Sequence, residues 1–254
     1  MGREQRSRHR LQPGTFCYLC GLPISSDQSW NRDHIPPERV FGKRVRQQHA
    51  VDLKWLPTHT DCNSAHKSDE EYFVVALAGH HRNTPTGRAV WDDVARGAAA
   101  GHSQGLLKTI VSQFGKVALP DGSILFSLDT QRSHRVAWKI IRGLYTLVSA
   151  QFLPETQLRT IEIIPQSEAP KLLPNHAWFA AVRDTEPLAR HQAVFDYKWI
   201  CYTDGDSRGN LVALLLWDSL IVLGLFHDPA CRCALCVPAS ADHDRTSAPS
   251  ATST

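Results

Sequence analysis

The chain has 254 residues, 42% of them hydrophobic and 21% charged, a balance that excludes a disordered or fibrous protein. The net charge of +3 is unevenly placed: residues 1–67 hold 11 Lys and Arg against 6 Asp and Glu, the remainder 17 against 19. Seven cysteines, an odd number gathered in short stretches, do not form a disulfide framework. The longest apolar run, Leu211 to Phe226, is 16 residues, interrupted by Asp218 and too short to cross a bilayer, so no membrane association is expected. Met1 to Arg10 is charged and no apolar segment follows it, which makes a reducing cytoplasm the expected location.

In chain order, residues 1–15 read as a basic flexible arm closed by Pro13-Gly14, whose four arginines can equally be a solvated tail. Residues 16–80 read as a compact metal-ligand module. Cys17 and Cys20, then His59 and Cys62, form two pairs with the spacing that lets one turn place both side chains on one tetrahedral ion, and together they predict a structural zinc. The alternative is unconnected cysteines beside a surface histidine. The 38 residues between Cys20 and His59 are long enough for the loop itself to carry a site. Pro36-Pro37 excludes helix after His34, Arg39 to His49 is basic with a turn at Phe41-Gly42, and Leu53 to Leu56 predicts a short strand ending at Pro57. Asp61 is placed to cap a helix beginning near Cys62 and running through Tyr72 towards Ala78.

Residues 81–105, rich in Gly, Ala and Thr, predict a loosely packed helical or loop connection to a second domain at 106–227. Leu106 to Phe114 reads as a short helix or strand, and the alternation of Ile124, Phe126 and Leu128 after a Pro-Asp-Gly turn reads as a strand. Arg132 to Phe152 has helical spacing and stops before Pro154. Strands are expected at 159–164, 177–183, 194–203 and 211–226, the last broken near Asp218, with a hairpin turn between Asp204 and Asn210. The fold class is therefore α+β, with a helix packed on an antiparallel sheet in the second half. Trp178, Trp199 and Trp217 read as core residues, not base-stacking platforms. Residues 228–254 read as a disordered tail; His227, Cys231, Cys233 and Cys236 at its start are irregularly spaced, so no second metal centre is expected from them.

Arg32-Asp33-His34 with Pro36-Pro37, followed by Cys62-Asn63, resembles the HNH endonuclease family, whose ββα-metal fold hydrolyses phosphodiesters. The resemblance covers residues 16–75 and implies zinc on Cys17, Cys20, His59 and Cys62, with His59 replacing the more usual cysteine. Asp33 and His34 match the family's Asp-His pair and Asn63 its last letter. The middle Asn has no clear counterpart; Asp52 stands nearest to its place. Ser68 to Phe73 and Lys139 to Tyr145 also resemble uncharacterised bacterial HNH proteins, which implies a companion domain and not an activity.

The chemistry follows from the residue types. A histidine near its ordinary pKa can take a proton from water at neutral pH, so His34 is the expected general base. A hard cation, Mg²⁺ or another divalent ion, would stabilise the phosphoryl group and the leaving oxygen, and Asp33 and Asn63 offer it oxygen ligands. His66, one helical turn beyond Asn63, ranks second as metal ligand or phosphate contact. Arg32, Lys43, Arg44, Arg46 and Lys67 are candidates to hold the backbone of nucleic acid, with DNA the expected substrate. In extended chain the adjacent Asp33 and His34 point to opposite sides, so a bend is needed for both to serve one phosphate. Each residue also has a plainer reading: a charge-paired surface Asp-His, a helix-start Asn63, a solvated basic loop. Two competitors stand beside the nuclease reading: a zinc module that binds nucleic acid or protein without catalysis, and a sensing C-terminal domain with the N-terminal module as its output.

Overall fold

The chain enters its first ordered unit through a tight turn at Cys17–Leu22, where the Cys17 amide donates to the Leu22 carbonyl (2.9 Å) and Gly21 takes φ 77°. A side chain at Gly21 would also meet the Phe152 ring at 2.7 Å, so both backbone and space demand glycine. This is a computed structural model that describes residues 15–49, 53–101, 104–118, 124–126, 128–169, 177–189 and 193–236. Strand β1 (Trp30–Ile35) pairs antiparallel with β2 (Lys54–His59), from Trp30 opposite His59 to Ile35 opposite Lys54. Pro36 and Pro37 end β1 because neither can donate to a ladder, whereas Pro57 is tolerated within β2 because the ribbon has only two strands. A 3₁₀ turn at Glu38–Phe41 and helix α1 (Lys43–His49) fill the loop between them. β2 runs directly into α2 (Thr60–His80), with His59 as its N-cap. The helix thus starts two residues earlier than expected. Asp61 is not its cap but lies in the first turn, where a carboxylate faces the positive end of the helix dipole.

The expected loose connection contains a regular helix, α3 (Pro85–Ala99). Thr84 caps it by accepting from the Gly87 amide (3.0 Å), and Pro85 occupies the first position, where its missing N–H costs nothing. α4 (Gln104–Gln113) leads into β3 (Phe114–Ala118), which pairs antiparallel with β4 (Ile124–Phe126). After α5 (Thr130–Ser149), strands β5 (Leu158–Pro165), β6 (Phe195–Asp204), β7 (Ser207–Leu216) and β8 (Leu220–His227) form one antiparallel sheet in the order β5-β8-β7-β6. Gly205, at φ 55°, makes the tight turn from β6 to β7. The long apolar run breaks where expected, at Trp217 and Asp218, both with positive φ. Residues Ala177–Asp184, expected as a strand, form a helix instead, α6. A short apolar run cannot distinguish the two periods, and three alanines favour helix. The expected tail is ordered for its first nine residues, 228–236; residues 237–254, like the arm at 1–14, lie outside those described.

Helix α5 is buried without a break from Val136 to Thr146, which means that every face is covered. One face meets β1, where a side chain at Gly143 would lie 2.4 Å from Ile35 Cδ1. Another meets the sheet, where Ile141 fills the space over Gly224. The buried core is accordingly continuous from Tyr18, Ile35 and Phe73 through Trp138 and Ile141 to Val222 and Phe226. Trp217 belongs to it, as expected, and its indole donates to the Val40 carbonyl (2.8 Å), while the part-buried Trp199 packs against it; the side chain of Trp178 lies outside the described residues.

Helices α2 and α5 are also tied by charge. Asp69, almost fully buried, accepts from Arg132 (2.7 Å) and Arg135 (2.8 Å). Burial alone would raise the Asp69 carboxyl, but the two guanidinium groups together hold it below its ordinary value. A carboxyl depressed in the folded state stabilises the fold above its unfolded pKa, and that contribution disappears as pH falls through the folded value. Asp69→Ala should therefore cost about 2 kcal/mol at neutral pH, the range for charge-assisted hydrogen bonds with partly exposed partners. The difference from the parent should shrink in the acid limb below the ordinary carboxylate range, as read from denaturant unfolding at a series of pH values.

Candidate functional site

The four donors expected to bind one metal do converge. The ligand atoms of Cys17, Cys20, His59 and Cys62 all lie within 4.8 Å of one another. His59 Nδ1 is 3.4 Å from Cys20 Sγ and 3.9 Å from Cys62 Sγ. A tetrahedron with Zn–S near 2.3 Å and Zn–N near 2.0 Å has sulfur–nitrogen edges of about 3.5 Å, so the cluster is of the size that holds a zinc ion. Gln28 Oε1 lies 3.2 Å from His59 Nε2, where it can accept the ring proton and leave Nδ1 bare for a metal. The tight turn supplies two donors, the end of β2 one and the first turn of α2 the fourth. A metal ion on these donors would therefore hold the hairpin, the helix and the entering chain together.

Strand alternation decides the rest. β1 is regular through Asp33 and His34, without the bend their joint use would need, and their side chains face opposite sides of the ribbon. Asp33 is buried and faces α2 and α5; His34 is part-exposed and faces a cleft.

On the inner side, Asp33 Oδ2 accepts from the Tyr18 hydroxyl (2.5 Å) and lies 2.8 Å from Lys139 Nζ. Asn63 Oδ1 accepts from the same Lys139 ammonium (3.0 Å), while its amide donates to Asn31 Oδ1 (3.2 Å). Lys139 also pairs with Glu70, and its side chain is wholly buried. Burial, with Asp33 beside it, pushes the Tyr18 phenol well above its ordinary value and keeps it a donor. Burial raises Glu70, against the pull of Lys139. His66 faces the same cluster: burial and then the Lys139 charge lower its pKa, so its imidazole is held neutral, and its buried Nδ1 has no hydrogen-bond partner among the described residues. The structure thus brings Asp33 and Asn63 to one place, with His66 beside them but without His34, which was expected to join them, and the point shared by the Asp33 and Asn63 oxygens is held by an ammonium. A magnesium ion does not fit there with Lys139 in position.

On the outer side, a cleft of about 650 Å³ is lined by Arg32, His34, Glu38, Lys43, Arg46 and Trp55, among others. His34 Nδ1 lies 3.3 Å from Glu38 Oε1, and the other Glu38 oxygen accepts from Arg46 Nη1 (2.6 Å). The Arg32 guanidinium stacks over the Trp55 ring at 4.4 Å, leaving the indole part-exposed at the cleft. Three of the five expected phosphate contacts therefore meet around His34. Arg44 and Lys67 are exposed but do not line this cleft. Asp52, the expected stand-in for the middle Asn, lies outside the described residues.

No family model, curated protein or solved structure matches the chain.

Sequence reasoning missed Glu38, Glu70, Tyr18 and Lys139. For Lys139 a signal existed: it sits within the apolar turn pattern of Val136, Ile140 and Leu144, where a charge needs a buried partner. Glu38 is four residues beyond His34 but across two prolines, so no helical or strand rule pairs them.

Replacing Lys139 by methionine strands two buried carboxylates and should cost about 3–5 kcal/mol in denaturant unfolding. Adding Asp33→Asn and Glu70→Gln to that variant should recover most of the loss, because an uncharged cluster has nothing left unpaired. If the triple variant is no more stable than Lys139→Met alone, packing and not charge sets the penalty.

Proposed function

We propose that the chain is an HNH-like phosphodiester hydrolase acting on nucleic acid, DNA in the first instance, with zinc as the structural metal of the Cys17, Cys20, His59 and Cys62 cluster. The observation that carries this reading is His34 at the mouth of a basic cleft, its Nδ1 engaged by Glu38. A carboxylate on one ring nitrogen fixes the tautomer and leaves Nε2 as the acceptor for a proton from water. Glu38 thereby takes the orienting part that the missing middle Asn plays in the family. Arg32, Lys43 and Arg46 supply the positive charge that a phosphate bound beside His34 requires, and Trp55 offers an apolar ring for a base.

The divalent ion implied by the resemblance has no part in this derivation, because Lys139 holds the place between Asp33 and Asn63. The same fact favours a second reading, a zinc-clasped module that binds nucleic acid without turnover. Both are tested by incubating the full-length protein with plasmid DNA and with a matched RNA, with and without added Mg²⁺, and measuring cleavage and binding in parallel.

Cleavage without added Mg²⁺ is expected, with His34→Ala lowering it by about 10²–10⁴, the ordinary worth of a positioned base. Glu38→Gln should lower it less, and neither substitution should change the zinc content. Full activity in His34→Ala would refute the assignment of the base. Salt-sensitive binding with no cleavage of either polymer would establish the binding module instead. Cleavage strictly dependent on added Mg²⁺ would show that the cation displaces Lys139.

A further inference from the structure

The second cysteine group, read in sequence as part of a tail, is folded. His227 is the last residue of β8, and the nine residues after it curl back over the turn between β6 and β7. Asp228 donates its amide to the Arg208 carbonyl (2.9 Å) and Arg232 to the Asp206 carbonyl (3.0 Å), so the segment extends the pairing of the hairpin. That path brings Cys231, Cys233 and Cys236 around one imidazole nitrogen. His227 Nδ1 is 3.3 Å from Cys231 Sγ, 3.3 Å from Cys233 Sγ and 3.1 Å from Cys236 Sγ, and all four donor atoms lie within 4.8 Å of one another.

A single ring nitrogen makes one hydrogen bond, as donor or as acceptor, so three sulfurs gathered at this distance exceed what it can satisfy. The separations instead approach the edges of a tetrahedron of about 3.5 Å around a zinc ion. The surroundings suit the charge of such a centre. Three thiolates and a neutral imidazole around Zn²⁺ carry a net negative charge, and the Arg159 guanidinium of β5 donates to Cys236 Sγ (3.0 Å) while the Arg208 amide donates to Cys231 Sγ (3.3 Å).

We propose that His227, Cys231, Cys233 and Cys236 form a second zinc site, a clasp that fastens residues 228–236 to the end of β8. Apart from its hydrogen bonds to the β6–β7 hairpin and to its neighbours the segment has little apolar anchorage: its one large apolar side chain, Leu235, is exposed. The site is of the same Cys₃His composition as the N-terminal cluster but shares no residue with it and does not depend on any nuclease activity. The irregular spacing that argued against it is explained by the ligand from the strand, which supplies the fourth donor from a different element.

The test uses the full chain, purified without chelator. Zinc measured by mass spectrometry should be two per chain, falling to one in Cys233→Ser/Cys236→Ser and to one in Cys17→Ser/Cys20→Ser. In case either variant fails to fold, the wild-type protein is treated with iodoacetamide and the modified peptides quantified. Cys201, exposed and outside both clusters, serves as the reference thiol. Cys233 and Cys236 should react at least tenfold more slowly than Cys201 before chelation, and at a comparable rate after it. One zinc per chain with Cys233 and Cys236 as reactive as Cys201 from the start overturns the proposal, as does a Cys233→Ser/Cys236→Ser variant that keeps two.

Discussion

The burial of a single ammonium organises this fold. Helix α5 is covered on all sides, and a lysine within such a helix is tolerated only if its charge is met where it lies. Lys139 is met by Asp33 from β1, Glu70 from α2 and the amide oxygen of Asn63 from the first turns of α2. These partners come from the hairpin and the helix that meet at the Cys and His cluster. The charge cluster thereby fixes how the ribbon sits on α5, and Gly143 allows the close approach that the ion pairs require. Arg142, the residue before Gly143, reinforces the same contact by donating to the Leu19 carbonyl inside the Cys17–Leu22 turn.

The regularity of β1 has a functional consequence. Because adjacent residues on a strand alternate, Asp33 is committed to the buried cluster at the moment His34 is committed to the cleft. Asp33, expected as a metal ligand, and His34, expected as the base, therefore do not share one pocket. His34 has its own carboxylate, Glu38, which bridges it to Arg46 across the cleft. Structure and chemistry are thus divided between the two faces of one ribbon, the inner face holding the fold and the outer face holding the residues suited to a polyanion.

What could be read from the chain followed from local rules. Ligand pairs two residues apart, the hairpin at Gly205 and the helix before Pro154 are each set by spacings of a few residues, and each is where it was expected. The second strand and the helix beside the metal-ligand cluster were likewise legible, from the short run before Pro57 and the residues beyond Cys62, whereas the first strand, Trp30–Ile35, had no local signal. What could not be read depends on tertiary context. Nothing within a window of the sequence joins Lys139 to Asp33, 106 residues apart. The pairing of His34 with Glu38 needs the path of the chain around two prolines. Ala177–Asp184 shows the ordinary limit of periodicity in a short apolar run, where alanine content decided the outcome. Residues 228–236 do not follow the tail that their composition suggests, because they are held by hydrogen bonds to the β6–β7 hairpin and to Arg159 more than by apolar burial.

That last point extends to the whole molecule. The two segments that lie outside the main run of strands and helices, residues 15–24 and 228–236, are too short to bury an apolar core of their own. In both, a turn rich in cysteine is closed against a histidine at the end of a strand, His59 after β2 and His227 at the end of β8, and in both the ring presents Nδ1 to the sulfurs. A strand end suits this task because its backbone is already fixed by pairing, so little freedom is lost when its side chain is engaged. A metal ion bound at such a cluster would supply from four donors the ordering that apolar contacts would need many residues to provide. The N-terminal donors sit at the base of the strand that carries His34. The C-terminal donors sit where the segment meets α5, at Asp228, which accepts from the Tyr145 hydroxyl (3.1 Å).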